Sequence, residues 1–377
     1  MIPDQRYLFD LPEDHAYLNC AYTAPLLKSA SRAGIRAVEA KRIPWTIQAD
    51  DFFRTVENLR RLFSQLVWCS PNDVAVVPAA SYGIALAARN LPVEENQTIV
   101  VSQDQFPSNV YSWMNLAAAK NAKIKTVPRP ADNDWTAAIL ESIDANTAIV
   151  ATANNHWTDG TAVDLVQVGR KCRSVGAALV IDGAQSLGAV PFSVTEVKPD
   201  FLAAISHKWL LGPYSMGFCY VDPKWQNGFA LEENWLNRAG SEDFSRLVDY
   251  QEGYQPGARR YDVGEASNFI LSPIAAAALE QILDWGVEEI AETLRHKTDA
   301  VADRATEMGL LVAKREFRAP HMIGVTKPGG FSAELPGLLA EEKVYVSVRG
   351  ESVRVAPHVY NNEGEIDRLF AALEKVV

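Results

Sequence analysis

Two residues of this chain have the types and spacing for amine chemistry on an aldehyde. Lys208 sits in Ser206-His207-Lys208-Trp209-Leu210-Leu211-Gly212-Pro213, and Asp182 closes the apolar run Ala177-Ala178-Leu179-Val180-Ile181 ahead of Gly183-Ala184-Gln185-Ser186. A lysine amine forms an imine with an aldehyde, and pyridoxal phosphate (PLP) is the usual aldehyde cofactor. A carboxylate against the pyridine nitrogen keeps that nitrogen protonated, so the ring accepts electrons from a substrate carbanion. Each anchor alone has an ordinary explanation. Aspartates close buried strands in many α/β proteins, and a lone loop lysine is usually a solvated charge. The pair is far more specific, because a strand, a loop and a second strand separate its members and His207 adjoins the lysine.

The elements that must position these two residues are legible as periodicity. Short apolar runs at 74–77, 98–101, 124–127, 148–151 and 177–181 read as buried strands, and 201–205 and 216–221 add strands on either side of Lys208. Amphipathic segments at 81–90, 108–120 and 165–175 read as helices between them. Continuous apolar strands alternating with helices predict an α/β fold with a mostly parallel sheet covered on both faces. Beyond residue 257 the pattern changes. Helices are expected over 273–308 and 363–374, with strands near 309–313, 322–326, 344–348 and 353–356. The expectation is a large α/β domain over 15–257 and a small α+β domain over 258–377, with residues 1–14 packed beside the latter.

The bulk numbers narrow the function classes. The chain has 377 residues, 48% hydrophobic and 22% charged, an ordinary globular composition. Its net charge of −11 argues against a nucleic-acid or anionic-membrane partner. No run of about 18 apolar residues predicts a membrane span, and the start has no secretory pattern. Cys20, Cys69, Cys172 and Cys219 are scattered without a C-x-x-C, and the six histidines form no metal-binding pattern. A reduced, cytoplasmic protein without a metal site is the expectation. Phosphate-loop and dinucleotide glycine motifs are absent from the sequence, so neither an ATPase nor a dinucleotide enzyme is supported.

Asp182 and Gln185 as D-x-x-Q, followed by His207-Lys208 near Gly212-Pro213, resemble the class V aminotransferases. That family also includes cysteine desulfurases, kynureninases and isopenicillin-N-epimerase-like enzymes. The resemblance runs from about Tyr17, in Tyr17-Leu18-Asn19, to the C-terminus. It implies the PLP-dependent transferase fold with a seven-stranded type of sheet, PLP on Lys208, an amino acid or amine as substrate, and a homodimer. The turn carrying Ala80, Ser81 and Tyr82 matches the family's phosphate loop, where backbone N–H groups at a helix start hold the anion; Ser81 as a plain helix cap is the alternative. Ser206 and His207 are further phosphate candidates, although the desulfurases place their serine where this chain has Ile205. Phe106 matches the residue stacked on the cofactor ring. A phenyl group stacks but moves no proton, and ordinary core packing is its alternative role.

Trp157 stands where desulfurases carry an asparagine that bonds the cofactor's phenolic oxygen. Its indole N–H offers one hydrogen bond, its bulk narrows the pocket, and Gln185 is then the candidate for that oxygen. His156 is a candidate acid or base toward the substrate, or a structural histidine. Arg354, in Arg354-Val355-Ala356-Pro357-His358-Val359-Tyr360-Asn361, matches the arginine that binds the substrate carboxylate. Arg349 reads as a surface charge. Glu265 replaces a threonine that in relatives reaches the partner subunit's phosphate, so that contact is not expected from it.

By the resemblance, Lys208 and Asp182 are the catalytic pair in every branch of the family. Desulfurases need a cysteine shortly before the arginine segment, and no cysteine follows Cys219. Persulfide chemistry is therefore disfavoured unless a scattered cysteine reaches the site. Transamination leads, with a lyase and an epimerase as alternatives and a non-catalytic PLP-binding regulator ranked low. Trp45, Trp113, Trp157 and Trp209 lean toward an aromatic-lined pocket for apolar substrates.

Overall fold

The computed structural model describes residues 1–376. After a two-residue strand β1 (Ala16–Tyr17), the main sheet takes β2 (Val74–Val77), β3 (Thr98–Ser102), β4 (Lys123–Val127), β5 (Thr147–Ala153), β6 (Ala178–Asp182), β7 (Phe201–Ile205) and β8 (Gly217–Val221). Their order is β2-β8-β7-β6-β5-β3-β4. β8 runs antiparallel to both neighbours, and every other pairing is parallel. The expected seven-stranded, mostly parallel sheet is present.

Alternation along the strands explains their unbroken apolar character. Val74, Val76, Val100, Val150, Leu179, Ile181, Leu202 and Ala204 face one buried core. Ala75, Val77, Ile99, Val101, Ile149, Ala151, Val180, Phe201 and Ala203 face the other. Side chains on a strand point alternately to opposite faces, so a sheet covered on both faces needs an apolar residue at every position. The covering helices are locally specified. In the helix Leu165–Val175, Asp164 accepts the N–H of Gln167 at the start, and Gly176 at φ +79° ends it.

The C-terminal elements are β9 (Leu311–Val312), β10 (Ile323–Thr326), β11 (Val344–Tyr345), β12 (Ser347–Arg349) and β13 (Ser352–Val355). They form an antiparallel sheet in the order β12-β13-β10-β9, while β11 pairs in parallel with β1. The strand expected over 344–348 is thus two strands. The Leu18 N–H donates to the Tyr345 carbonyl at 3.0 Å, whereas Ser347 pairs with Arg354, so residues two apart serve different partners. The N-terminal residues lie against this part of the chain: the Gln5 N–H donates to the Val359 carbonyl at 3.0 Å, and Arg6 pairs with Glu365 at 3.0 Å. No helix among the described residues is long and apolar enough to cross a membrane.

Candidate active site

The C-terminal ends of β2, β3, β5, β6 and β7 open onto one cavity of about 250 Å³. Open α/β sheets place their ligand crevices at these ends, where side chains and helix starts converge. Ala80, Ser81, Phe106, Trp157, Asp182, Gln185, His207 and Lys208 all line it. A larger surface groove of about 670 Å³ along Trp235 to Glu252 has no comparable lysine–aspartate pair.

Lys208 lies in the turn after β7. Its loop is held by Ser206 N–H to the Met216 carbonyl at 2.9 Å and by Gly212 N–H to the Ser206 carbonyl at 2.8 Å. Burial lowers the amine pKa to about 8; Asp182 opposes the shift, and the positive charges of Arg354 and Arg349 add to it. Asp182 ends β6 at 7% exposure. Its Oδ1 accepts the Ala184 N–H at 3.0 Å. Burial raises its pKa despite that bond and the charge of Lys208. Phe106 stands across the cavity, its ring centroid 5.5 Å from Lys208 Nζ and packed edge-on to Trp157 at 5.4 Å.

The phosphate-side turn is a backbone feature. The helix Ala80–Asn90 has Ala79 as its N-cap and no side-chain cap, so Ser81 is not the cap of the alternative reading. The first amides are left toward the cavity wall formed by Ala79, Ala80 and Ser81. Tyr82 follows on the helix but does not line the cavity.

Three expectations are corrected by geometry. Ser206 is 1% exposed, is not on the cavity wall, and its hydroxyl has no partner. It continues the alternation of Leu202 and Ala204, which faces the other core, while Ile205 and His207 face the cavity. His156 is excluded for the same reason: Ala153, Asn155 and Trp157 line the cavity and His156 points away. Its Nε2 meets the Gln103 carbonyl at 3.0 Å, its Nδ1 meets the Thr158 hydroxyl at 2.7 Å, and its ring stacks on Trp135 at 5.0 Å. Burial lowers its pKa, so it is a neutral, fully engaged histidine. Trp157 lines the cavity, but its indole N–H donates to the Asp104 carbonyl at 2.7 Å and is not free for a cofactor oxygen.

Other residues take more definite places. Gln185 Nε2 donates to the Ala21 carbonyl at 3.0 Å and its Oε1 accepts from Trp209 Nε1 at 3.0 Å, leaving one amide proton. His207 adjoins Tyr214 at 4.5 Å, and burial brings its pKa to about 4, so it is neutral near pH 7. Arg354 is 1% exposed on β13 and is not itself on the cavity wall; its Nη1 donates to the carbonyl of the wall residue Trp157 at 2.8 Å, and its buried Nε has no partner among the described residues. Arg349 is not a plain surface charge, because it is half-buried with its guanidinium 5.9 Å from the Trp157 ring centroid. Of the four tryptophans singled out, Trp157 alone lines the cavity; Trp113 and Trp209 are buried elsewhere and Trp45 is exposed.

Sequence reasoning missed Asn155, a cavity residue whose buried Oδ1 has no partner. Its place two residues after Ala153 on the same strand face was the available signal. Cys20 also approaches the site, with its Sγ 3.9 Å from the Lys208 carbonyl. Burial pushes its thiol well up, and it is fully enclosed, so it offers no accessible nucleophile.

These features fit PLP. An uncapped helix start suits a phosphate, and a buried carboxylate with one backbone donor suits a protonated ring nitrogen. A buried amine near neutrality suits an aldehyde, and the partnerless Oδ1 of Asn155 adds a polar contact.

Comparison with known proteins agrees with this reading. A family model described as aminotransferase class-V matches residues 47–369. The uncharacterized aminotransferase YcbU of Bacillus subtilis is 27% identical over 380 residues, covering 97% of this chain and 95% of that one. Among solved structures, an apo cysteine desulfurase from Thermococcus onnurineus NA1 superposes with a TM-score of 0.84 at 19% identity, covering 100% of this chain and 98% of that one. A C-DES mutant with glycine covalently linked to the PLP cofactor gives a TM-score of 0.88 at 17% identity, covering 99% and 100%. At such identities the structures establish the shared fold and not the reaction.

Proposed function

The chain belongs to the class V aminotransferases, a family of PLP-dependent enzymes, and from that premise we propose that it is an aminotransferase acting on a small amino acid or amine through Lys208. The observation that carries the proposal is the buried Lys208 amine, lowered to about 8 and facing Asp182 in a cavity with an uncapped helix start. When bound, PLP supplies an electrophilic aldehyde carbon and an electron-accepting ring.

The chain's own residues divide the remaining work. Lys208 acts as an amine nucleophile because burial keeps an accessible fraction neutral near physiological pH. Once free, its Nζ takes the proton from the substrate's α-carbon and returns it during transfer. Phe106 presents an apolar face and cannot move that proton, which leaves the task to Lys208. Asp182 would hold the ring nitrogen protonated by accepting its hydrogen bond, which would offset the carboxylate's own desolvation. The first amides of the helix Ala80–Asn90, with Ser81 and the neutral His207, would hold the phosphate. Gln185, with one amide proton left, and the second Nδ2 proton of Asn155, whose first goes to the His156 carbonyl, would be the donors for the ring oxygen, since Trp157 has given its N–H to Asp104. Arg354 takes the α-carboxylate in its fork. A homodimer is part of the proposal, supported by the exposed Phe229, Val248 and Tyr250 on one long irregular segment.

Sulfur transfer through an enzyme persulfide is not supported, because no cysteine follows Cys219 and Cys20 is sealed. The deciding experiment is the absorption spectrum of the purified protein before and after a pool of amino acids is added. A visible band that moves to the near-ultraviolet band of the aminated cofactor, without release of sulfide, alanine or ammonia, is expected. A persistent band with such products would replace transamination by a lyase reaction.

A further inference from the structure

The reading of the cavity as an amino-substrate site leaves one charge unexplained, and the β12–β13 hairpin shows why. Arg349 pairs with Ser352, and Ser347 pairs with Arg354. Paired residues share a sheet face, and so do residues two apart on one strand. Arg349, Ser347, Ser352 and Arg354 therefore lie on the same face. The loop between the strands is Gly350-Glu351, with Gly350 at φ +58° in the first central place that favours glycine, so the register is tightly set. Both guanidinium groups meet Trp157: Arg354 donates to its carbonyl at 2.8 Å, and Arg349 stands 5.9 Å from its ring centroid.

Among the described residues, neither arginine reaches a carboxylate. Nη1 of Arg349 donates to the carbonyl of its neighbour Val348 at 2.9 Å. Asp159, close by, is taken by Arg129, and Glu351 is exposed on the turn. Lys208 also feels both positive charges. One α-carboxylate would satisfy Arg354 and leave Arg349 uncompensated. Trp157 lies between the catalytic cavity and an open hollow of about 810 Å³, which is lined by Arg349 and Arg129 and also by the acids Asp104, Asp159 and Glu351, with Asp159 already paired to Arg129. A substrate side chain passing the Trp157 edge would enter it.

We propose that Arg349 is a specificity-determining residue that binds a second carboxylate, making dicarboxylic amino acids of the aspartate–glutamate class the preferred amino donors. Arg354 then holds the α-carboxylate and Arg349 the distal one, with the Trp157 ring between them. Recognition by two arginines replaces the lean toward apolar substrates that the tryptophan count alone gave.

The test uses the PLP-loaded protein and the unreactive acids succinate, glutarate and butyrate, with binding measured by calorimetry. Wild type is expected to bind succinate or glutarate at least about tenfold more tightly than butyrate, the range of one charge-assisted hydrogen-bond pair. In Arg349→Gln that ratio is expected to fall close to one, and Arg349→Lys is expected to keep part of it. A wild-type ratio near one would overturn the proposal, and so would a ratio that Arg349→Gln leaves unchanged. These probes carry no amino group, so the outcome does not depend on whether the reaction is transamination. Product analysis showing a lyase alongside a preserved dicarboxylate ratio would remove the proposed reaction and keep Arg349's role. Thermal unfolding of both variants establishes that a lost ratio is not lost folding.

Discussion

Replacing Arg60 with methionine removes the cation that faces a buried carboxylate beneath the phosphate-side strand. Arg60 is 1% exposed. Its Nη2 donates to Asp262 and its Nη1 to the Val74 carbonyl. The other oxygen of Asp262 accepts the Val76 N–H at 2.8 Å. The network ties β2, which leads into the Ala79–Ser81 turn, to the segment around Asp262. Removing one partner of a buried pair leaves the other charge without compensation, at a cost of about 3–5 kcal/mol. Methionine refills most of the aliphatic volume, so cavity formation adds little. An unfolding entropy of about 2.1 cal/mol/K per residue amounts to roughly 0.8 kcal/mol/K for a chain of this length. The midpoint is therefore expected to fall by about 4–6 °C in scanning calorimetry. Adding Asp262→Asn removes the stranded charge while keeping an acceptor for the Val76 N–H, and is expected to recover at least half of the loss. A single variant that loses less than about 1 kcal/mol, or a double variant as damaged as the single, would refute the argument that this pair holds the strand.

Three further outcomes follow from the site. The Lys208 amine reacts only when neutral, and burial has lowered it to about 8; PLP uptake by the cofactor-free protein should therefore rise with pH and reach half its plateau near that value. A midpoint above about 10, the ordinary lysine range, would contradict the burial argument. Arg354→Ala should raise KM for α-amino acids by about ten- to a hundredfold while changing simple amines far less, in steady-state assays; equal effects on both would place the carboxylate elsewhere. His156→Phe keeps the stack on Trp135 but strands the Gln103 carbonyl, costing about 1–3 kcal/mol in urea unfolding. The pH profile of kcat should not move, and a lost limb of that profile would restore His156 to the chemistry.

Much of the architecture was legible because local physics fixes it. The runs at 74–77 and 201–205 are apolar at every position, and only a sheet buried on both faces accommodates that pattern. The helix at 165–175 carries its own start and stop signals in Asp164 and Gly176. The split of 344–348 into β11 and β12 was not legible, because β12 pairs locally with β13 in a hairpin while β11 pairs with β1, which lies at the other end of the chain.

At the site, the sequence by itself supplied the candidate groups: an aspartate closing a strand, a lysine after the next one, and a helix start offering amides. Tertiary structure decided which neighbours join them. Alternation turned Asn155 and Trp157 into the cavity and His156 and Ser206 out of it, a two-residue period that matters only once the strand face is known. The Asp104 carbonyl took the Trp157 N–H, and the hairpin register put Arg349 beside Arg354. Residue types carry the capacity to react, but access and competing hydrogen-bond partners depend on contacts between segments far apart in the chain.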